Sequence, residues 1–218
     1  VFWLHGNPGT GKSTMSMFFA GALSGAFSKT PNKTLAYYFC DSGYDTRKTA
    51  TAVVRGLLLQ LVQQHPQLIK YILPKYEERK AQAFASFDTL WTMFIKACAD
   101  KATGRKYCVV DALDECAQDD QRKLLEQIGE TFGRDRSAGG LNVSLLVTSR
   151  PYSEITKHLR AFPNRDLASF EESRQDVDKF IDEKVAELGK MQDYTKNIAA
   201  TVTRVLRDKA GGIFLWVG

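Results

Sequence analysis

Val1-Phe2-Trp3-Leu4-His5-Gly6-Asn7-Pro8-Gly9-Thr10-Gly11-Lys12-Ser13 opens the chain, and its reading decides the fold. Residues 1–5 form a short apolar run of strand character. Gly6 to Ser13 matches G-x-x-x-x-G-K-[ST] at every position. Behind it, Met15, Phe18, Phe19, Ala22 and Leu23 recur at helical spacing, so residues 11–26 read as a helix. A strand, a glycine loop and a helix in this order build a phosphate cradle. The glycines let successive N–H groups turn inward toward phosphate oxygens, and the positive end of the helix adds to the attraction. Gly6, Asn7, Pro8, Gly9, Thr10, Gly11, Lys12, Ser13 and Thr14 are therefore the candidate nucleotide-binding residues. Lys12 is placed to reach the β- and γ-phosphates, and the Ser13 hydroxyl to ligate Mg²⁺.

Outward from this loop, β-rich runs alternate with helical stripes. Residues 33–40 read as the second strand. Ala50, Val53, Val54, Leu57, Leu58 and Leu61 mark a helix with Asp45 or Thr46 as its expected cap. Residues 74–85 read as a polar connector, and the stripe from Phe87 to Cys98 as a core helix rather than an interface. Tyr107 to Val110 is a buried strand, followed by a helix near 119–132, a strand at Asn142 to Val147 and a short fifth strand at Asp166 to Phe170. Two further helices carry Val177 to Leu188 and Ile198 to Leu206, with Gly211-Gly212 as the stop signal. Continuous apolar strands between helices imply an α/β fold, a three-layer α/β/α P-loop NTPase with a mostly parallel five-stranded sheet. The expected division is a nucleotide-binding core at 1–170 and the start of a helical subdomain at 171–218.

Two further motifs fall where ligands bind in such sheets, at the carboxyl ends of the strands. Asp111-Ala112-Leu113-Asp114-Glu115 ends a buried strand with three carboxylates. Asp111 is the natural partner of an ion held by Ser13. Asp114 and Glu115 both stand where a water-orienting base belongs, with Glu115 preferred and Asp114 assigned more to the metal. Leu145 to Pro151 is a strand ending in Thr148, Ser149 and Arg150; a guanidinium there can bind a γ-phosphate, and Thr148 can contact water or phosphate. Asp41 and Asp45 read first as capping acids and second as nucleotide or metal ligands.

Composition bounds the remaining classes. The 218 residues are 44% hydrophobic and 25% charged, the profile of a packed domain. Lysine and arginine exceed the acids by 30 to 25, but the basic pieces at 101–106 and 134–136 are short and interrupted, so no nucleic-acid partner is expected. No apolar run is long enough to span a membrane. The four cysteines lack a CxxC pair, and His5, His65 and His158 lack zinc-ligand spacing; reduced, buried thiols in the cytoplasm are expected. The chain begins inside an apolar run without methionine and closes on the apolar stretch from Ile213 to Val217, which reads as a piece of a longer protein. Guanine selectivity is not expected, because Asn32-Lys33-Thr34-Leu35 lacks the acid of N-K-x-D.

Phe2 to Ser13, Tyr38-Phe39-Cys40-Asp41-Ser42, Asp111 to Glu115, Thr148-Ser149-Arg150-Pro151 and Gly211 to Trp216 occur in an order that resembles a NACHT domain. More narrowly, it is similar to the nephrocystin-like modules of fungal NOD-like receptors and heterokaryon-incompatibility proteins. Ala112, directly after the first acid, is typical of that group. The resemblance implies a signal-transduction ATPase of the STAND class, ADP-bound at rest and ATP-bound when it self-associates. It implies Arg150 as the γ-phosphate sensor, with an effector and a repeat sensor domain in the same chain. Two other readings compete: a steadily turning-over AAA+ type ATPase, and an interaction scaffold that ignores nucleotide.

Overall fold

The structure, a computed structural model, describes residues 1–27, 30, 32–133, 141–192, 194–210 and 213–214. Gly211, Gly212, the basic piece at 134–136 and residues 215–217 of the apolar end lie outside these. Five strands, β1 (Phe2–His5), β2 (Lys33–Phe39), β3 (Arg105–Asp111), β4 (Val143–Ser149) and β5 (Asn164–Asp166), pair in the order β2-β3-β4-β1-β5. Every pairing is parallel. Leu145 and Val147 of β4 and Cys108, Val109 and Val110 of β3 are buried, as a sheet covered on both faces requires.

Eight α-helices accompany the sheet among the described residues: α1 (Lys12–Phe27), α2 (Ala50–Gln64), α3 (Leu73–Arg79), α4 (Phe87–Ala99), α5 (Gln118–Phe132), α6 (Ser153–Leu159), α7 (Glu171–Met191) and α8 (Lys196–Ala210). The α4 stripe is core: Leu90, Trp91, Met93, Phe94, Ala97 and Cys98 are all buried. In contrast, α1 buries only Ser16 and Ala20, and Phe18 is 66% exposed.

Four local expectations are corrected. Thr49, not Asp45 or Thr46, caps α2, its side chain accepting the Ala52 N–H at 3.1 Å. Asp45 instead pairs with Lys48 at 2.5 Å, and Asp41 accepts the Gly43 N–H at 3.0 Å in its own turn. Residues 74–85 are not a plain connector: Pro74 sits in the first turn of α3, where its missing N–H costs nothing, and a 3₁₀ turn at Lys80–Phe84 buries Ala83. The fifth strand covers Asn164–Asp166 and gives way to a 3₁₀ turn at Leu167–Ser169, because the Asp166 side chain takes the Ala168 N–H. Helix α6 was not anticipated.

The core divides by contact into two clusters. The larger joins the sheet with α2, α4, α5 and α6. The smaller holds Val177, Ile181, Val185 and Ala210, with Val202, Leu206 and Phe214 packed against it.

Candidate functional site

Parallel register brings the motif residues to one edge. Leu4 lies beside Thr148, His5 beside Ser149 and Asp166, and Phe39 beside Asp111. The loop between β1 and α1 therefore starts at the edge where Asp111, Thr148 and Arg150 end their strands. Gly9 and Gly11 have φ of 77° and 88°, a region that side chains with a Cβ rarely adopt, which is why glycine stands at both. The Lys12 ammonium donates to the loop's own carbonyls, Gly6 O at 2.7 Å and Asn7 O at 3.0 Å. Burial lowers its pKa, opposed by the negative charges of Asp114, Asp111 and Asp166. A phosphate oxygen would replace two neutral acceptors with an anionic one. Ser13 and Thr14 are exposed at the start of α1.

Asp111 is 2% exposed, and its Oδ1 accepts two short hydrogen bonds, from Ser16 Oγ and Thr148 Oγ1, each at 2.6 Å. Thr148 Oγ1 in turn accepts the Ala112 N–H at 3.0 Å. The α1 hydroxyl bonded to Asp111 is thus that of Ser16, one turn along the helix from Ser13. Ala112 holds φ 53° and ψ 48°, left-handed backbone that turns the chain sharply after the strand. That turn sends the next two acids apart. Asp114 Oδ1 accepts the backbone N–H of Arg150 at 3.0 Å, and its Oδ2 lies 3.2 Å from Arg150 Nε. Glu115 Oε2 faces the other way and accepts the Ser42 N–H at 3.1 Å and the Ser42 hydroxyl at 3.3 Å.

Beside these acids opens a cleft of about 330 Å³, lined by Ser42, Lys48, Glu115, Cys116, Arg150 and Tyr152 among others. Arg150 donates through Nη1 to the Tyr152 hydroxyl at 3.0 Å. Cys116, from the cleft lining, and Cys40 are buried free thiols with their sulfurs 3.3 Å apart. The contact with Cys116 and burial both raise the Cys40 pKa, so its thiol stays protonated.

The residues expected to hold an ion, Ser13 and Asp111, offer one hydroxyl and one carboxylate. Among the described residues no group of three or more His, Cys, Asp or Glu could hold a metal. Two hard oxygen donors, with phosphate and water supplying the rest, suit Mg²⁺ and do not suit a protein-caged transition metal.

Sequence reasoning missed four contributors: Ser16, Ser42, Tyr152 and Phe214. The Phe214 N–H donates to Gly9 O at 2.9 Å, and its ring lies beside Gly11, so the chain beyond α8 touches the phosphate loop. The Phe180 and Phe214 rings meet edge to face at 5.9 Å, which ties that contact to α7.

A family model described as Nephrocystin 3, N-terminal matches residues 1–150. The chain belongs to this family. It is also 29% identical over 224 residues to the vegetative incompatibility protein HET-E-1 of Podospora anserina, a match covering 100% of this chain and 16% of that protein. Both matches agree with the nephrocystin-like NACHT resemblance read from the motifs. Among solved structures, the Aeropyrum pernix ORC2 protein in its ADPNP-ADP complexes aligns over 95% of this chain and 62% of its own, at 11% identity and a TM-score of 0.45. PCH-2 of C. elegans aligns over 97% of this chain and 51% of its own, at 14% identity and a TM-score of 0.39. No helix among the described residues is long and apolar enough to cross a membrane.

Proposed function

We propose that this nephrocystin-family chain is the ATP- and ADP-binding switch module of a larger signalling protein. Residues 1–170 form its P-loop core and residues 171–218 the beginning of a helical subdomain. The observation that carries the reading is the shared sheet edge: a complete phosphate loop, a buried Asp111 and Arg150 meet there.

In this reading Lys12 leaves the Gly6 and Asn7 carbonyls for the β- and γ-phosphates, while the loop's N–H groups hold the rest of the chain of phosphates. Ser13 and Asp111 hold Mg²⁺, which supplies neutralisation of the phosphate charge. Glu115 accepts a proton from the attacking water. Asp114 is already engaged with Arg150, and this supports Glu115 over Asp114 as the base. Arg150 reads the γ-phosphate, and its Asp114 partner sets where the guanidinium waits. Thr148 keeps Asp111 in place. Hydrolysis is slow, and self-association follows the ATP state, with effector and sensor domains in the same polypeptide. Contact between Phe214 and Gly9 supports a helical part that responds to the occupied loop.

Titration of the full chain with ATP and ADP in the presence of Mg²⁺ tests the reading. Lys12→Ala should weaken binding roughly ten- to hundredfold, the loss of about 1.5–3 kcal/mol that a charged hydrogen-bond donor contributes. Equal affinity in the variant would contradict the assigned pocket.

A further inference from the structure

We propose that Cys40 and Cys116 are an oxidisable thiol pair, a modification site whose disulfide fastens the loop that carries Glu115. The two sulfurs come from residues 76 positions apart and stand 3.3 Å from each other. A disulfide requires them to close to about 2.05 Å. The backbone around them is already held together from both sides. The Cys40 N–H donates to Asp111 O at 3.0 Å, the Ala117 N–H to Lys48 O at 2.8 Å, and Ser42 holds Glu115. Bond formation therefore calls for movement of two side chains rather than of two elements.

Access distinguishes this pair from the other two cysteines. Cys116, 6% exposed, is among the residues lining the open cleft beside Glu115, the side from which a small oxidant approaches the pair. Cys98 and Cys108 are sealed in the core at 0% and 1% exposure. Cys116 is accordingly the sulfur that meets the oxidant, and Cys40 the one that resolves the product. With a hydroperoxide, the Cys116 thiol gives up its proton as its sulfur attacks one peroxide oxygen and the O–O bond breaks. The leaving oxygen takes a proton to become an alcohol or water, and Cys116 becomes a sulfenic acid. The Cys40 sulfur then forms the S–S bond as the S–O bond breaks, and the hydroxyl departs with the Cys40 proton as water. Two thiols lose two electrons and the peroxide gains them.

Cys40 precedes Ser42 by two residues, and Cys116 directly follows Glu115. The disulfide would thus pin Glu115 on the Ser42 side of the cleft and hold it from the water it activates; this consequence rests on the role proposed for Glu115. Oxidation then stops hydrolysis while leaving the phosphate loop untouched.

The test is to treat the reduced full chain with hydrogen peroxide, unfold it in denaturant with N-ethylmaleimide present to block remaining thiols, and map the cysteine peptides by mass spectrometry. The expected product joins the Cys40 and Cys116 peptides with loss of two hydrogens, reverts with dithiothreitol, and leaves Cys98 and Cys108 alkylated. Free or over-oxidised Cys40 and Cys116 without a crosslink would overturn the site, as would a crosslink through Cys98 or Cys108. Cys116→Ser should abolish the product; the wild-type map decides the matter even if that variant folds poorly. ATP hydrolysis should fall on oxidation and return with dithiothreitol. A crosslink that leaves hydrolysis unchanged would overturn the pinning of Glu115. A chain that hydrolyses no ATP in either redox state would count against the proposed function, and the peptide map would still judge the thiol pair.

Discussion

Asp114 grips Arg150 twice, accepting its backbone N–H on Oδ1 at 3.0 Å and facing its Nε with Oδ2 at 3.2 Å. The Asp114 side chain is 5% exposed and that of Arg150 39%. A nearly buried acid that spends both oxygens on one arginine is an orienting group. Its removal leaves the β4 end without that anchor and the guanidinium with the Tyr152 hydroxyl alone among the described residues.

Asp114→Ala should therefore lower stability by about 1–2 kcal/mol, the half-exposed arginine being partly screened by water. It should also shrink the preference for ATP over ADP, because Arg150 no longer waits in a fixed place. Thermal melting and paired nucleotide titrations check this. An unchanged melting temperature with unchanged ATP preference would remove Asp114 from the account.

Glu115→Gln should keep nucleotide affinity and reduce hydrolysis by about 10²–10⁴-fold, the usual contribution of a positioned base. Single-turnover hydrolysis of bound ATP reads the effect directly. A variant that hydrolyses at the wild-type rate would transfer the base to another group.

Thr148→Val keeps the shape of the side chain and deletes the hydroxyl that joins Asp111 Oδ1 to the Ala112 N–H. With Asp111 buried, the cost should be about 1–3 kcal/mol, or roughly 2–10 °C in melting temperature. Thr148→Ser should recover most of it. Equal melting of the valine variant and the wild type would mean that the network does not hold the strained turn at Ala112.

Acid stability should depend on Asp100, far in sequence from the phosphate loop. Lys70 at 2.8 Å, then Tyr71 OH and the Ala102 N–H, each at 2.9 Å, hold its pKa down to about 2. A depressed carboxylate stabilises the fold above its unfolded value of about 3.9 and loses that contribution as pH falls through about 2. Asp100→Asn should flatten the pH dependence of denaturant melts over this window. An identical slope in the variant would contradict the assignment.

Much of the edge was legible because its chemistry is local. The loop from Gly6 to Ser13 needs its residues at consecutive positions, and Asp111 marks the end of an apolar run. The α4 stripe was equally readable, since helical period and apolar character coincide there. What escaped was tertiary. Ser16 meets Asp111 across 95 positions and Trp3 meets Ser149 across 146, the first through α1 packing on the sheet and the second through the β1–β4 pairing. The split between Asp114 and Glu115 hangs on the left-handed backbone at Ala112, a conformation that alanine does not announce. Ser42 and Phe214 reach the site from a turn and from the chain beyond α8, where neither periodicity nor composition distinguishes a ligand-facing residue from a bystander.

The central claim is that this edge holds a resting nucleotide. The most direct measurement is to purify the full chain, denature it, and identify the released small molecule by chromatography, with Lys12→Ala carried in parallel. The account predicts ADP from the wild type and little or none from the variant. A wild-type protein that releases no nucleotide and does not bind added ATP with Mg²⁺ would contradict it.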